Sequence, residues 1–467
     1  MVSVGRHPNI TLLSYSEVEK VAGYVGNFTV TVRRKPRYVN EDLCTGCGTC
    51  IEKCPWKKLP SEFDLGLGRR AAIYYPFPQA VPRVPVVDTV NCAYFKNGKC
   101  RACEKFCTAK AIDFEQTEQH VEVEVGTIIL ATGFKDFDPK RAPQYGYGSL
   151  GNVITSMELE RMINSGGPTL GKVTLQDGRI PEKVAILHCV GSRGDEVAEG
   201  CSHEYCSRVC CMYSLKLADL TREYVGAEVV EYYRDMRSFG KEYETFYERV
   251  QRHGVNFIRF DKNVRVERRN GHLAVLSTDV YTGQPNETLV DMVVLSTGME
   301  PQADQGEIGV IFGVSRSPDG FFLEKHPKLA PVETATDGVY LAGTCQGPKD
   351  IPDSVAQGAA AAAAALSLMD AGQVYLDPFT THVDAEKCGG CRTCEGLCPY
   401  SAIEMVQKDG RLVAFVNEVL CKGCGACAAA CPAGAAVQSG FTNDQVLAEI
   451  EGILMALTPT PLPLGEG

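Results

Sequence analysis

The chain has 467 residues, a formal net charge of −11, 44% hydrophobic and 22% charged residues, a globular composition long enough for about three domains. This mixture excludes collagen, coiled-coil and wholly disordered chains, and the scattered Lys and Arg form no stripe that would bind nucleic acid or an anionic membrane. The apolar stretch 358–369 is too short to span a bilayer and the N-terminus shows no secretory signal, so we expect a cytoplasmic protein.

The N-terminal region predicts strands at residues 8–13 and 28–32, which lead into the first of several cysteine runs. Cysteine, at 22 residues, is the outlier of the composition. In a reducing compartment, clustered cysteines indicate metal ligands before disulfides. The first two runs are Cys44-x2-Cys47-x2-Cys50-x3-Cys54-Pro55 and Cys92-x7-Cys100-x2-Cys103-x3-Cys107.

Three closely spaced thiolates can cover one face of a [4Fe–4S] cluster, while the fourth cysteine of the run reaches the neighbouring cluster. We therefore assign two clusters with crossed ligand sets: Cys44, Cys47, Cys50 and Cys107 for one, and Cys92, Cys100, Cys103 and Cys54 for the other. The second run departs from ferredoxin spacing, since seven residues come between Cys92 and Cys100. The alternative is tetrahedral zinc, which uses two separated CxxC pairs.

Residues 121–133 (VEVEVGTIILATG) alternate between apolar and charged residues and then become continuously apolar, which predicts a strand that passes into a buried core. Residues 183–187, 212–224 and 227–230 predict a strand, a helix and a strand, together a βαβ unit.

A fifth group of cysteines lies in the turn of this βαβ unit, with five cysteines within 23 residues. We predict that four of them bind a fifth cluster, with Cys201 as a spare or substitute ligand: Cys189, Cys206, Cys210 and Cys211. The alternative is structural cysteines or a redox disulfide, because adjacent cysteines rarely ligate one metal. His188 is predicted to be a strand-end residue and not a ligand.

Two more buried strands are predicted at residues 293–298 (VVLSTG) and 339–343 (VYLAG). The second leads through a glycine turn, where Cys345 is predicted to be a loop residue, into a helix with seven consecutive alanines. A strand, a glycine turn and a helix N-terminus form an anion site, and alanines let the helix lie close to a sheet or a cofactor.

These segments resemble the FAD half of the thioredoxin-reductase-like disulfide oxidoreductases, in which the last strand, turn and helix hold the ribityl chain and the flavin ring. That family has Gly-Asp where this chain has Gly343-Thr344, so the ribityl contact is altered. The resemblance assigns these residues to FAD: Thr132, Gly133, Thr297, Gly298, Gly343, Thr344, Lys349, Asp350, Ser354 and Val355. Lys216 is a candidate positive charge for a reduced flavin or cluster, with a surface lysine as the alternative.

Two parts of such a flavoprotein are missing. FAD domains open with G-x-G-x-x-G after a first strand, because only glycine lets the backbone reach the pyrophosphate, and we find no such run after a strand here. The fifth cysteine group also occupies the phosphate turn at which the relatives bind NAD(P)H. We therefore expect an incomplete FAD site whose flavin exchanges electrons with iron–sulfur clusters.

The C-terminal region carries two more cysteine runs with ferredoxin spacing and a following proline. The same crossing rule assigns Cys388, Cys391, Cys394 and Cys431 to one cluster, and Cys421, Cys424, Cys427 and Cys398 to the other. A hairpin is predicted around Asp409-Gly410. Residues 443–457 predict an amphipathic helix that packs on its own domain or docks onto another protein of a complex.

In their order along the chain, the motifs Ile-Leu-Ala-Thr-Gly, His-Cys-Val-Gly-Ser-Arg, Tyr-Cys-Ser-Arg-Val-Cys-Cys and Ala-Gly-Thr-Cys-Gln-Gly-Pro-Lys-Asp resemble the heterodisulfide reductase A subunits over residues 1–457. The resemblance implies an oxidoreductase subunit with FAD and iron–sulfur clusters that joins B and C subunits, a hydrogenase or formate dehydrogenase input module, and ferredoxin. In that family the flavin is the proposed site of electron bifurcation between ferredoxin and a disulfide, a methanogenesis-related reaction. Since the dinucleotide-binding segment is absent, either a separate N-terminal A-subunit fragment completes the FAD site or the reading frame is a fragment.

The predicted fold class is α/β, a thioredoxin-reductase-like flavoprotein core with one inserted and one C-terminal bacterial-type 2[4Fe–4S] ferredoxin domain. The predicted divisions are a partial FAD domain (1–39), the inserted ferredoxin domain (40–115), the FAD domain continued (116–180), the cysteine-bearing βαβ unit (181–300), the last FAD segment (301–377), the second ferredoxin domain (378–440), the helix (441–457) and a disordered tail (458–467).

Two other functions remain open at this point. A flavin-free electron-wiring module would explain the missing phosphate loop, and a redox-sensing scaffold would use residues 201–211 for a thiol–disulfide change. No catalytic acid, base or nucleophile is evident, so disulfide reduction would take place on a partner.

Overall fold

The computed structural model describes residues 2–194, 202–260, 263–375 and 378–457. Its helices are α1 (Val2–Gly5), α2 (Thr49–Glu52), α3 (Ala93–Asn97), α4 (Ala102–Lys105), α5 (Ser156–Ile163), α6 (Cys210–Leu220), α7 (Tyr243–Arg252), α8 (Gln305–Phe312), α9 (Ile351–Ala371), α10 (Thr393–Leu397), α11 (Ala426–Ala429) and α12 (Asn443–Leu457). Short 3-10 helices cover Pro139–Arg141, Pro143–Tyr145 and Gly343–Cys345. Among the helices of these ranges, none has the length and apolar character to cross a lipid bilayer.

The strands are β1 (Ser16–Tyr24), β2 (Asn27–Arg34), β3 (Leu59–Pro60), β4 (Arg69–Arg70), β5 (Ile73–Tyr74), β6 (Val86–Val87), β7 (Gln119–Val125), β8 (Ile128–Leu130), β9 (Lys135–Asp136), β10 (Val153–Thr155), β11 (Lys183–Val190), β12 (Glu228–Tyr233), β13 (Asn256–Arg259), β14 (Arg265–Arg269), β15 (His272–Thr278), β16 (Pro285–Val290), β17 (Met292–Thr297), β18 (Met299–Glu300), β19 (Val339–Leu341), β20 (Thr381–Val383), β21 (Ile403–Lys408), β22 (Arg411–Val416) and β23 (Ala436–Gln438).

The middle region of the chain forms a five-stranded parallel sheet in the order β10-β17-β11-β12-β13. Parallel strands are covered on both faces, which is why β11 and β17 are almost continuous apolar runs. Along β11, Val184 and Ile186 pack with α5, α6 and α7, while Ala185 and Leu187 pack with the antiparallel sheet β14-β15-β16. The carboxyl ends of β11 and β17 are neighbours where the strand order reverses, the usual ligand position of open α/β sheets.

An antiparallel sheet β1-β2-β7 precedes this core in the chain. Its strands β2 and β7 are neighbours in the sheet, with Phe28 opposite Val125, so the chain that connects them leaves the sheet and returns to it. The first two cysteine runs lie in this inserted segment. Strands β8 and β19 form a parallel pair followed by α9, and the antiparallel pair β9-β18 connects this part of the chain with the parallel sheet.

The two cysteine-rich units share one plan. In the C-terminal unit, α10 and α11 contact each other beside the pairs β20-β23 and β21-β22; in the first unit, α2 and α4 do so beside the bridge between Val39 and Ile112. The predicted hairpin is confirmed, with β21 and β22 joined by Asp409-Gly410. Both turn residues have positive φ, 50° and 76°, as a type I′ turn requires.

One other prediction turns out differently. Residues 8–13 do not form the predicted strand, because the Ile10 amide closes a turn onto the His7 carbonyl and no neighbouring strand pairs with this segment in the described part of the chain. The predicted helix at 443–457 forms as α12. Its apolar side chains that the structure describes are exposed: Val446, Leu447, Ile450, Ile453, Leu454 and Met455.

Candidate functional site

Four thiols of the first cysteine unit surround one cavity: Cys44, Cys47, Cys50 and Cys107. Burial, together with the charges of the other three thiols, raises the pKa of Cys50 to about 11. Four thiolates therefore repel one another in this arrangement, whereas a bound metal cluster would neutralise them. Three cysteines of the first run thus lie next to Cys107 of the second run, as the crossed ligand sets require.

A second group lies around Cys103 in the same unit. Burial, together with the charges of Cys92, Cys50 and Cys54, raises the pKa of Cys103 to about 12. Cys54, the last cysteine of the first run, is therefore close to cysteines of the second run. Cys92 is buried at the start of α3, and Cys100 is half-buried just before α4.

Backbone amides donate hydrogen bonds to cysteine sulfurs in several of the groups. N–H···S bonds of this kind stabilise anionic iron–sulfur clusters. The donor and sulfur pairs are Gly46 to Cys44 (3.4 Å), Ala111 to Cys107 (3.3 Å), Arg208 to Cys206 (3.3 Å), Ala414 to Cys388 (3.5 Å), Ala402 to Cys398 (3.3 Å), Thr381 to Cys421 (3.4 Å) and Ala435 to Cys431 (3.3 Å). Gly46 has φ of 68°, and a Cβ there would lie 2.8 Å from the Arg83 carbonyl oxygen, so only glycine fits this ligand loop.

The C-terminal unit gathers its cysteines in the same way. Cys388, Cys394, Cys398, Cys421 and Cys427 belong to one packed cluster, while Cys391 and Cys424 are exposed. Burial raises the pKa of Cys394, to which Cys388 and Cys391 add, and Cys431 interacts electrostatically with Cys391. This grouping places Cys431 of the fourth run with the cysteines of the third.

The fifth cysteine group lies at the carboxyl edge of the parallel sheet. Cys189 is near the end of β11, Cys206 is in the following loop, and Cys210 and Cys211 begin α6. Burial, together with the thiols of Cys211 and Cys206, raises the pKa of Cys189 to about 11, and burial together with Cys189, Cys211 and Cys206 raises the pKa of Cys210. The four predicted ligands are therefore together. Cys201 lies outside the described residues.

His188 and Glu231 form a buried pair behind this group, with Nε2 of the histidine 2.8 Å from Oε2 of the glutamate. Burial alone would lower the pKa of His188, but Glu231 and Cys211 outweigh it and raise it to about 9. His188 also lowers the pKa of Cys211, against the effect of burial. His188 was predicted to be a strand-end residue, and its pairing with Glu231 was not predicted. The sequence feature that indicates such a pair is Glu231 itself, a carboxylate within the apolar run of β12.

The residues assigned to FAD fall into two places, the first at the start of α9. Gly343 donates its amide to Gln357 Oε1 at 2.8 Å, and the Asp350 carboxylate caps the helix by accepting from the Asp353 amide at 2.8 Å. The other predicted residues there are Thr344, Lys349, Ser354 and Val355, and burial lowers the pKa of Lys349. The exposed apolar side chains of Ile351 and Val355 form a surface that a flat ring could cover.

Thr132 and Gly133 follow β8 beside this helix start. The hydroxyl oxygen of Thr132 is buried and makes no hydrogen bond within the described residues, which suits a polar group of a bound cofactor. These features fit the flavin and ribityl end of FAD. No described residues fit the diphosphate end of FAD in the same way. A glycine run of the right spacing does occur at Gly146-x-Gly148-x-x-Gly151, but it follows a 3-10 helix and precedes β10. A dinucleotide-binding run lies instead between a strand and a helix.

Thr297 and Gly298, also assigned to FAD, lie instead against the fifth cysteine group. The Thr297 carbonyl accepts a hydrogen bond from the Tyr213 hydroxyl at 2.8 Å and lies 3.8 Å from Cys210 Sγ. Lys216 points away from this group, since its ammonium lies 3.6 Å from Glu160 on the exposed side of α6. The structure therefore offers no contact in support of the predicted role of Lys216.

Within the described ranges, no three His, Cys, Asp or Glu side chains are placed to hold a single metal ion. The sulfur-only donor sets, with their amide donors, are the type that holds cubane iron–sulfur clusters.

Comparison with known proteins agrees with this donor chemistry. The family model of a 4Fe-4S dicluster domain matches residues 387–435, and that of a 4Fe-4S binding domain matches residues 37–57. With the parallel sheet described above, these matches confirm the predicted α/β fold class with ferredoxin-type units. A solved structure of thioredoxin reductase from Lactococcus lactis is 15% identical, with a TM-score of 0.34 over 64% of this chain and 86% of its own.

Two curated relatives match nearly the whole chain. An iron-sulfur A subunit of CoB–CoM heterodisulfide reductase from Methanopyrus kandleri is 53% identical over 97% of this chain and 68% of its own length. The A subunit of the H2:CoB-CoM heterodisulfide,ferredoxin reductase from Methanothermobacter thermautotrophicus is 48% identical over 97% of this chain and 67% of its own. The chain thus spans about two thirds of the length of these relatives.

Proposed function

Because this chain belongs to the family of heterodisulfide reductase A subunits, as its motifs predicted, we propose that it passes electrons between a bound flavin and five iron–sulfur clusters. It is an oxidoreductase subunit with 4Fe-4S domains. A flavin held at the start of α9 would accept an electron pair from an input module and would release one electron toward ferredoxin and the other toward a disulfide on a partner protein, so that two such rounds would reduce one disulfide to two thiols. This is flavin-based electron bifurcation.

One contact carries the proposal. Arg208, in the loop between Cys206 and Cys210, binds Asp353 in the first turn of α9 and the carbonyl of Pro348 before it. The fifth cysteine group and the helix start that fits a flavin therefore touch each other. A flavin that exchanges electrons singly needs a one-electron acceptor close by, and this contact supports the fifth cluster in that role.

We assign four ferredoxin-type clusters and a fifth, non-ferredoxin cluster to the twenty cysteines named above. The convergence of Cys50, Cys103, Cys394 and Cys189 with their predicted neighbours supports four of the five sets. A cluster changes its charge by one unit at each step, so a series of clusters can guide electrons through differences in potential.

We propose that another polypeptide segment completes the FAD site along β8. In the described part of the chain β8 has one neighbour, β19, and its other edge opens onto a cleft lined by residues 128–132, β1 and α8. Ile129 is 41% exposed there, although such a strand is normally buried on both sides. A parallel strand carrying the missing phosphate turn would cover this edge, whether it comes from a separate A-subunit fragment or from the same gene product.

The proposed partners are B- and C-type subunits that reduce the disulfide, a hydrogenase or formate dehydrogenase input module, and ferredoxin, all in the cytoplasm. The name of the Methanothermobacter thermautotrophicus relative, which includes hydrogen and ferredoxin, supports the last two classes. The described residues of this chain offer cysteine clusters and a flavin cradle but no nucleophile placed for disulfide chemistry, so the disulfide is assigned to a partner.

Anaerobic purification of the chain, alone and together with the polypeptide encoded upstream, tests the proposal through iron, sulfide and flavin content. We expect about twenty iron per chain, with FAD bound only in the co-purified sample. Absence of flavin from both samples would remove bifurcation and leave the flavin-free electron-wiring module, which the missing phosphate turn favours. Iron-free protein with a reversible disulfide would instead support the redox-sensing scaffold.

A further inference from the structure

Two arginines lie beside the fifth cysteine group. The Arg193 amide donates to the carbonyl of Tyr205, the residue before Cys206, and its side chain binds Asp235, whose carbonyl contacts Cys211 Sγ. The Arg234 guanidinium in turn donates to the Arg193 carbonyl. Positive charge therefore lies next to the cysteines of the fifth group.

Arg193 is fixed in place by its backbone and by its side chain. Its amide donates to the Tyr205 carbonyl at 3.1 Å, its carbonyl accepts from Arg234 Nη1, and its φ is 58°. Its Nη2 donates to Asp235 Oδ2 at 2.7 Å. Its Nη1 is buried and makes no hydrogen bond within the described residues, so one charged N–H group lacks an acceptor beside Cys189 and Cys206.

Asp235 does not neutralise this charge completely, because it also binds a second arginine. Arg259 Nη2 lies 2.6 Å from the other carboxylate oxygen of Asp235, so two guanidinium groups share one carboxylate. The Asp235 carbonyl in turn accepts from Cys211 Sγ at 3.6 Å, which places this network directly against the cysteines. Among the described residues, Arg193, Arg259 and Asp235 together carry a net positive charge.

We propose that Arg193 donates a hydrogen bond through Nη1 to the fifth cluster and holds its reduction potential above those of the ferredoxin-type clusters. The inference rests on the proposed fifth cluster at Cys189, Cys206, Cys210 and Cys211. Reduction adds a negative charge to a cluster, and a nearby cation and an N–H donor both stabilise that charge. The fifth cluster is then the thermodynamically favoured first acceptor for electrons that leave the flavin on the higher-potential branch.

Redox titration of the fully assembled protein, followed by electron paramagnetic resonance, tests this assignment with two variants of opposite sign. Arg193→Gln removes the charge and lowers the midpoint potential of the fifth cluster by about 59 mV or more, a tenfold change in a one-electron equilibrium. Asp235→Asn removes the shared negative charge and raises the potential. The control is Arg179→Gln, which breaks a matched surface pair with Asp177 in which the arginine is 67% exposed, and leaves the potential unchanged.

Iron content separates this inference from the proposal on which it rests. A wild-type protein with about sixteen iron and no fifth reducible centre overturns both. Five clusters with an unchanged midpoint in Arg193→Gln, or shifts of the same sign in both variants, overturn the role of Arg193 alone. If the Arg193→Gln variant does not assemble the fifth cluster, the Asp235→Asn variant provides the test. A raised midpoint potential of the fifth cluster in that variant supports the inference, and an unchanged midpoint potential overturns it.

Discussion

Arg208 Nη2 lies 2.7 Å from Asp353 Oδ2, and this ion pair joins the loop of the fifth cysteine group to the first turn of α9. Arg208 has φ of 62° and its guanidinium lies 5.2 Å from the ring centre of Phe239, so the loop bends tightly to reach the helix. Because the side chains of both residues are partly exposed, the pair contributes little to folding. Its role is to set the distance between two candidate redox sites.

Replacing Arg208 with glutamine should therefore separate function from stability. We expect the free energy of unfolding to change by about 1 kcal/mol or less, while FAD affinity falls by up to about tenfold, since 1.4 kcal/mol corresponds to a factor of ten. Flavin fluorescence titration and thermal unfolding measure the two effects. Arg252→Gln, which breaks an exposed pair with Glu248, is the control and should change neither. A large loss of stability with unchanged flavin binding would contradict this role.

Gly298 is a position at which the fifth cysteine group should be sensitive to a single methyl group. A Cβ there would lie 2.2 Å from Ser192 Oγ and 2.7 Å from Ser207 Oγ, two buried hydroxyls that are 2.6 Å apart. Gly298→Ala should cost about 1–3 kcal/mol through overpacking and lower the iron content by about four per chain. Gly358→Ala in α9, with no atom near the added Cβ, should keep all its iron and gain up to about 1 kcal/mol. Equal iron in both variants would show that the serines can move aside.

The His188–Glu231 pair predicts how stability depends on pH. The pKa of His188 is raised from 6.5 to about 9 in the folded chain, so the folded state holds the proton more tightly than the unfolded state. This contribution is complete below pH 6.5 and is lost as the pH rises through about 9. Glu231→Gln should flatten that slope and lower stability at pH 6.5 by about 3–5 kcal/mol, because it leaves a buried cation unpaired.

Denaturant unfolding at pH 6.5 and 9, performed without oxygen on wild type and on Glu231→Gln, measures the effect. Glu287→Gln is the control, since Glu287 pairs with Arg269 at the surface, and it should keep the wild-type slope. A wild-type protein that gains stability over this pH range would contradict the predicted direction.

The sequence predicts those features that depend on interactions between residues close together in the chain. Cysteine spacing and the hairpin at Asp409-Gly410 are set by neighbouring residues, so the motifs, the turn and the family were accessible. The contacts of Arg193, Arg208 and Glu231 depend on which strand ends meet at the sheet edge, and no local pattern encodes that. Residues 8–13 looked like a strand because strand propensity cannot report whether a partner strand is present.

Helix α12 offers a test of packing. Leu447 and Ile453 are 56% and 61% exposed, so replacing both with serine should change the free energy of unfolding by about 0.5 kcal/mol or less. Ile403→Ser, at a site that is 6% exposed in the core of the C-terminal unit, should cost several times more. Thermal unfolding and iron content compare the two. A destabilised Leu447→Ser/Ile453→Ser variant would show that this face is covered within the chain.

The crossed ligand sets of the first unit predict a pattern of non-additive iron loss. Cys54 and Cys92 are assigned to one cluster and Cys107 to the other, although Cys54 is far closer in sequence to Cys44. Each single cysteine-to-serine variant should lose about four iron. Cys54→Ser/Cys92→Ser should lose no more than either single variant, because both remove ligands of the same cluster, whereas Cys54→Ser/Cys107→Ser should lose about eight. Cys345→Ser is the control, since this buried thiol hydrogen-bonds to the carbonyl oxygens of Leu130 and Ala342 and belongs to none of the five sets. If the Cys54/Cys92 pair also lost about eight iron, each run would bind its own cluster, and the electrostatic grouping of Cys103 with Cys54 would reflect proximity of two clusters and not a shared one.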